Sequence, residues 1–183
     1  MSKDEKNKIY FISGVSGVGK TSTMAHLKNL LSHDFYDIRD LDERGVPDGG
    51  GLDWLKNETR YWLNVAKQNA VNNKNTIICG FANPELFREV SIPEEDMPAQ
   101  LILLHASGEY LEQRLHDRHA TPESIKEIER ASGVTVDQFV KNNVEFAPKF
   151  RAIFEKYDFP IIDTDNRTPL DVAEIAVKII TNS

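Results

Sequence analysis

Hydrophobic residues along the chain fall into short apolar runs separated by longer stretches with helical periodicity. The short runs are typical of buried strands, and they occupy 8–13, 36–41, 75–80, 101–106 and 160–163. Apolar residues recur at helical spacing in 23–31, 52–72, 136–157 and 168–180. Further helices are predicted at 84–90, which Pro84 can open, at 109–118, and from Thr121-Pro122 onwards. This regular alternation predicts an α/β fold, with a parallel sheet covered by helices on both faces.

The first predicted strand leads into a glycine-rich segment with the complete Walker A pattern, Gly-x-x-x-x-Gly-Lys-Thr. Glycines let the backbone adopt positive φ angles, so that successive N–H groups can point at phosphate oxygens. Lys20 can reach the β- and γ-phosphates, and the Thr21 hydroxyl can bind Mg²⁺. The residues expected to hold the nucleotide are Gly14, Val15, Ser16, Gly17, Val18, Gly19, Lys20, Thr21 and Ser22. Because a strand precedes the loop and an amphipathic helix follows it, we predict a nucleoside triphosphate site rather than a chance glycine turn.

Two carboxylates follow the second predicted strand, in the segment Asp40-Leu41-Asp42. Residues two apart project to the same side of an extended chain. They could orient the water ligands of Mg²⁺, bind an acceptor hydroxyl, or accept its proton. The alternative is that these acids merely solvate a loop. A functional role is favoured because ligands of parallel sheets bind at the carboxyl ends of the strands.

The third and fourth predicted strands end without an acidic residue, at Gly80-Phe81 and at His105-Ala106. Motor ATPases and GTPases place an aspartate after such a strand to hold Mg²⁺, and the guanine-reading Asn-Lys-x-Asp motif is also absent from the sequence. These features argue against a switch GTPase or an AAA-type motor. They also suggest room beside Gly80 for an acceptor molecule.

Two arginines, Arg114 and Arg118, lie four residues apart in the helix predicted after the fourth strand, so they share one helical face. Two guanidinium groups on one face suit a triphosphate, because the charge that develops during phosphoryl transfer spreads over several oxygens. The alternative is a solvated face on which they pair with Glu112 and Asp117.

Composition narrows the function classes further. The 183 residues fit one domain, 1–183, and the net charge of −7 argues against nonspecific binding to nucleic acid. No apolar run approaches the about 18 residues of a membrane span, and the mixed charges of residues 2–8 do not resemble a secretory signal. We therefore expect a cytoplasmic protein with neither a membrane nor a nucleic-acid partner.

Cys79 is the single cysteine, so no disulfide forms within the chain, and His105, His116 and His119 lack the partners of a metal site.

The loop after strand one, the acids after strand two, the glycine after strand three and the Arg-x-x-x-Arg after strand four together resemble the nucleoside and nucleotide kinase group. Adenylate kinase and the shikimate and gluconate kinases belong to it. The resemblance implies a P-loop NTPase three-layer sandwich, in which a five-stranded parallel sheet has the order 2-3-1-4-5. It also implies a short helical lid at 115–134, bordered by the two arginines.

The same resemblance assigns roles to further residues. Asp165 and Asn166 lie in the segment 163–169, which is similar to the segment that borders the adenine in these kinases, and Arg118 would also bind the nucleotide. Asp40 or Asp42 would match the acid that lies near the acceptor and magnesium in shikimate-type kinases, and Asp42 would join Thr21 as a magnesium ligand. The predicted lid is short and contains no cysteine. No set of arginines in this sequence aligns with the arginines expected in a nucleoside-monophosphate pocket. The remaining candidates for acceptor binding are Arg39, Arg44, Arg60 and Arg88.

Our sequence-based hypothesis is an ATP- and Mg²⁺-dependent kinase that moves the γ-phosphoryl group to a small hydroxyl- or phosphate-bearing acceptor, such as a nucleoside, nucleotide or sugar acid. Its catalytic residues would be Lys20, Asp40, Asp42, Arg114 and Arg118. The alternative is a regulatory nucleotide-binding module with slow or no ATP hydrolysis. The sequence predicts no oligomeric state.

Overall fold

The fold is built around one five-stranded parallel sheet. The computed structural model describes residues 7–47, 50–90 and 99–182, so parts of the charged N-terminus and of the turn-rich loop at 43–51 lie outside the described residues. The strands are β1 (Ile9–Ser13), β2 (Tyr36–Asp40), β3 (Asn75–Cys79), β4 (Ala99–His105) and β5 (Ile161–Asp163). Their order across the sheet is β2-β3-β1-β4-β5, which confirms the predicted topology.

The central strand β1 is buried along its whole length because it pairs with β3 on one side and β4 on the other. Phe11, for example, lies opposite Ile78 and Leu101. A strand that is covered on both faces of a parallel sheet requires a continuous apolar sequence rather than an alternating one. This arrangement places the carboxyl end of β1, where the glycine loop begins, in the middle of the sheet edge.

Seven helices lie within the described residues and cover both faces of the sheet. They are α1 (Lys20–Leu30), α2 (Leu52–Val71), α3 (Pro84–Val90), α4 (Gly108–Arg118), α5 (Pro122–Ser132), α6 (Val136–Lys156) and α7 (Pro169–Thr181). Helices α1 and α7 pack together on one face, whereas α2, α3, α4 and α6 form a connected row on the other. Right-handed crossovers require this division, since the chain moves one way along the sheet from β1 to β2 and the other way afterwards.

Small differences from the predicted boundaries have local causes. β4 begins at Ala99 instead of residue 101, because Ala99 and Gln100 continue the pairing with Ile9 and Tyr10.

Trp62 and Cys79 belong to the hydrophobic core. Across the described part of the chain, no helix has both the length and the apolar character that crossing a lipid bilayer requires.

Candidate active site

The glycine loop after β1 fits closely against its surroundings. Gly14 and Gly17 have φ angles of 154° and 87°, in the range that side chains disfavour. A Cβ atom on Gly14 would lie 2.6 Å from the carbonyl oxygen of Leu104, and one on Gly17 would lie 3.0 Å from Cγ of Leu115. The loop is therefore seated on the end of β4 and on α4, and larger residues at either position would displace it.

The first turn of α1 is open to an anion. The residue before the helix is Gly19, no side chain caps the N-terminus, and the first turn contains no acidic residue. Thr21 and Ser22 are both exposed there. The free N–H groups and the positive end of the helix dipole thus point at the loop, which is the geometry that favours bound phosphate.

Lys20 lies across the glycine loop. Its ammonium group donates hydrogen bonds to the carbonyl oxygens of Gly14 at 2.8 Å and Val15 at 2.9 Å. An ammonium group has three hydrogens, so one remains for a phosphate oxygen. The pKa of Lys20 is lowered from 10.5 to about 8, mainly by burial; the charge of Asp42 opposes this shift, that of Arg118 contributes to it, and that of Asp40 also opposes it.

The acids after β2 lie beside this lysine, as expected from their position in the sheet. The Asp40 carboxylate accepts a hydrogen bond from the backbone N–H of Asp42 at 3.0 Å, which fixes the turn between them. Partial desolvation raises the pKa of Asp42, the charges of Asp40 and Glu58 raise it further, and Lys20 opposes them. A cation beside Asp42 would relieve this repulsion.

Leu41 anchors the turn that carries the two acids. It is buried, and its carbonyl oxygen accepts a hydrogen bond from the indole N–H of Trp62 at 3.2 Å. A Cβ atom on Gly80 would lie only 2.2 Å from Cβ of Leu41. The expectation that Gly80 leaves room for an acceptor is therefore wrong, because Leu41 fills that space. The glycine instead lets the ends of β2 and β3 approach each other, and this contact sets the position of Asp40 and Asp42.

The two arginines of α4 have different environments. Arg114 donates to the side-chain and backbone oxygens of Thr164, both at 3.0 Å, so it joins α4 to the loop after β5. Arg118 is exposed and makes no hydrogen bond or ion pair to any described residue, yet it lies near enough for its charge to lower the pKa of Lys20. Neither arginine pairs with Glu112 or Asp117, so the pairing that the solvated-face alternative expects is not seen, whereas the exposure of Arg118 agrees with that alternative.

Side chains of the β5–α7 loop hold that loop against α4. The Asp165 carboxylate accepts the backbone N–H of Ser107 at 3.1 Å and 3.2 Å, and the Tyr110 hydroxyl donates to the amide oxygen of Asn166. Asp165 and Asn166 were predicted to border the adenine. The structure shows their side chains engaged in joining the loop to the helix.

A cavity of about 280 Å³ lies between the glycine loop, α4 and the β5–α7 loop. It is lined by Gly17, Val18, Gly19, Ser22, Thr23, Arg114, Arg118, Thr164, Arg167, Pro169 and Val172. Thr164 and Arg167 belong to the segment 163–169 that was expected to border the adenine, but within it the sequence singled out Asp165 and Asn166, which are not among the lining residues.

The arginines considered for acceptor binding have partners of their own. Arg44 lies 3.4 Å from the Glu58 carboxylate and stacks 3.7 Å above the ring of Tyr61. Arg39 pairs with Asp37 and Glu43, while Arg60 donates to Asn57. Arg88 lies over the ring of Tyr157.

A metal site built from histidine and cysteine is not supported. Among the described residues no group of three or more His, Cys, Asp or Glu side chains is placed to hold a metal ion. Burial, with the charge of Asp40, also raises the pKa of the Cys79 thiol to about 12, which disfavours the thiolate that a nucleophile or a metal ligand requires.

The lowered pKa of Lys20 gives a prediction for the binding site. Phosphate oxygens stabilise the charged amine, so binding of an ATP analogue should draw a proton from solution. From a pKa of about 8, we expect uptake of about half a proton at pH 8 and about a tenth at pH 7. Calorimetry in buffers of different ionisation enthalpy measures this uptake. A binding enthalpy that does not depend on the buffer at pH 8 would contradict the position assigned to Lys20.

Comparison with known proteins supports the fold. No protein-family model matches the sequence, and no curated protein is similar to it. Among solved structures, the chain is similar to the shikimate kinase from Acinetobacter baumannii in complex with shikimate, with a TM-score of 0.58, 17% identity, and coverage of 97% of this chain and 95% of that one. It is also similar to the thymidylate kinase from Candida albicans, with a TM-score of 0.58, 14% identity, and coverage of 97% and 92%.

A third similar structure is a gluconokinase from Sinorhizobium meliloti 1021, with a TM-score of 0.52, 15% identity, and coverage of 97% of this chain and 98% of that one. All three are P-loop kinases, and the matches extend over nearly the whole of each chain. The chain therefore has the fold of the P-loop kinases, and the resemblance seen in its motifs is confirmed at the level of the fold.

Proposed function

We propose that this protein is a kinase that transfers the γ-phosphoryl group of Mg-ATP to a small hydroxyl- or phosphate-bearing acceptor. The observation that carries the proposal is the convergence of three charged elements at the carboxyl edge of the sheet. Lys20 lies in the glycine loop, the acids Asp40 and Asp42 lie on one side of it, and Arg118 lies near it. A site that only binds Mg-nucleotide needs the loop and one acid for the metal, whereas a kinase also needs an acid for the acceptor, so the pair favours the kinase.

Each group has a role that follows from its chemistry. The loop amides and Lys20 would bind the β- and γ-phosphates and stabilise the charge on the bridging oxygen. One of the two acids would orient the acceptor and take the proton of its hydroxyl group. Arg118, which is not engaged with any described residue, would stabilise the transferring phosphoryl group.

The residues present fit a magnesium ion. Thr21 offers a hydroxyl oxygen at the first turn of α1, and Asp42 offers a carboxylate whose pKa is raised by partial burial and by its acidic neighbours Asp40 and Glu58. Hard oxygen donors of this kind are the ones that Mg²⁺ prefers. Mg²⁺, when bound, neutralises phosphate charge, and Thr21 and Asp42 would orient it.

Exclusion of water from the site would be the task of the lid. Leu115 is fully buried under the glycine loop, so the part of 115–134 that is available to move begins after α4. Helix α5 has no buried residue, and its main packing partner is α6. A weakly held helix next to Arg118 suits a segment that closes over bound ATP and suppresses its hydrolysis.

Transfer of label from ATP tests the proposal. The protein is incubated with γ-labelled ATP and Mg²⁺ in separate pools of nucleosides, nucleoside monophosphates and sugar acids. We expect label to appear on a compound of one pool. A regulatory module would instead bind ATP and release at most a little labelled phosphate, without a labelled acceptor in any pool. That result would contradict the kinase proposal and favour the alternative.

A further inference from the structure

Helix α6 makes a direct hydrogen bond to the glycine loop. The backbone N–H of Ser16 donates to Oδ1 of Asn143 at 3.1 Å. The amide nitrogen of Asn143 donates to the carbonyl oxygen of Phe139 at 2.8 Å. Because the Phe139 carbonyl can only accept, the amide nitrogen must face it, and the amide oxygen must face Ser16. The orientation of the Asn143 side chain is therefore fixed by its two partners.

The first half of the loop is held from two sides. Lys20 binds the carbonyl oxygens of Gly14 and Val15, and Asn143 binds the next N–H group, that of Ser16. Consecutive backbone groups are thus tied to two different elements, α1 and α6. Lys20 is also expected to bind the phosphates, whereas Asn143 makes no other hydrogen bond to a described residue outside its own helix.

Asn143 belongs to one face of α6 that also contacts the rest of the site. Phe139, one turn earlier, meets the ring of His119, the residue after Arg118, edge-on at 5.9 Å. Phe150, about two turns later, stacks at 4.9 Å on Phe81, which follows β3. Residues spaced by three or four positions share a helical face. This face therefore contacts the region of Arg118, the glycine loop and the end of β3 in turn.

We infer that Asn143 is a positioning residue, which holds the glycine loop in the conformation that receives the triphosphate and ties it to the helix that follows the lid. The inference rests on the proposed function, since it needs the loop to bind ATP. Without the Asn143 oxygen, the N–H of Ser16 loses its partner and the loop gains freedom. Binding of the triphosphate would then have to restore that order.

Two substitutions separate the hydrogen bond from the other properties of the side chain. Asn143→Leu keeps the approximate volume and removes the acceptor oxygen. We expect about tenfold weaker binding of a non-hydrolysable ATP analogue, as follows from an unsatisfied donor in a partly buried position. Asn143→Asp keeps an oxygen for Ser16 but adds a negative charge near the phosphates. Its loss of affinity should shrink as salt is added, while that of Asn143→Leu should persist.

The neighbouring residue provides a matched control. Asn142 is exposed, and within the described part of the chain its side-chain oxygen accepts a hydrogen bond from Gln138 alone. Asn142→Leu should leave the affinity unchanged, and thermal unfolding should be followed for all variants. If Asn143→Leu lowers the melting temperature but binds the analogue as tightly as the parent protein, the positioning role is refuted. If the parent protein itself fails to bind the analogue, it is the proposed function that fails.

Discussion

Replacing Lys20 by alanine is expected to weaken ATP binding by about 10- to 100-fold and to remove phosphoryl transfer. The expected weakening of ATP binding corresponds to the loss of a hydrogen bond to a charged phosphate. The loss of transfer follows because the same amine would stabilise charge that develops only during the reaction, an effect worth a further factor of about 10² to 10³. Isothermal calorimetry measures the affinity, and label transfer measures the reaction.

The folded protein should tolerate this change. The pKa of Lys20 is lowered from 10.5 to about 8 on folding, so the unfolded chain holds the proton more tightly between these values. Stability contributed by this group therefore rises as the pH increases from 8 to 10.5 and is least at neutral pH. At pH 7 the loss of the buried charge should raise stability and the loss of the hydrogen bonds to Gly14 and Val15 should lower it, so the melting temperature should change little. Lys28→Ala, in the last turn of the same helix, is the control and should bind ATP normally. Normal ATP binding by Lys20→Ala would refute the phosphate site.

Replacing Arg118 by alanine should lower turnover by a factor of about 10² to 10³, with a much smaller effect on ATP affinity. Arg118 has no partner among the described residues, so its guanidinium is available for charge that appears in the transition state. The same substitution removes a positive charge near Lys20 and should raise the pKa of that lysine. Steady-state kinetics and the proton-uptake measurement check both effects.

Arg114 provides the contrast, since it belongs to the same helix but is bound to Thr164. Arg114→Ala should lower the melting temperature and weaken nucleotide binding, because the β5–α7 loop, which lines the cavity, loses its connection to α4. If the two variants lose turnover and affinity in the same proportion, both arginines are binding residues and neither has a separate catalytic role.

The fold was predictable from the sequence because each strand is a short apolar run and each helix has an apolar face. β1 is the clearest example, since burial on both faces demands an unbroken apolar sequence. The glycine loop was also predictable, because its glycines are required by backbone conformation and by close contacts with Leu104 and Leu115. The proximity of Asp42 to Lys20 followed from the rule that strand ends meet at one edge of the sheet.

What the sequence did not reveal depends on side chains that meet from distant parts of the chain. Asn143 is 127 residues from Ser16, and no local spacing indicates their hydrogen bond. The same holds for Arg114 and Thr164, which are 50 residues apart. Gly80 was misjudged because a glycine in the sequence looks the same whether a ligand or a neighbouring side chain fills the space beside it.

The contact between Gly80 and Leu41 also has an evolutionary consequence. A side chain at position 80 would collide with Leu41, so the two positions cannot vary independently. A lineage that acquires a larger residue at 80 must shrink residue 41 or shift the end of β2, and the shift would move both acids away from Lys20. A paired glycine and leucine at these positions, together with the flanking aspartates, is therefore a sequence signature that would distinguish homologues sharing this site from other proteins with the same fold.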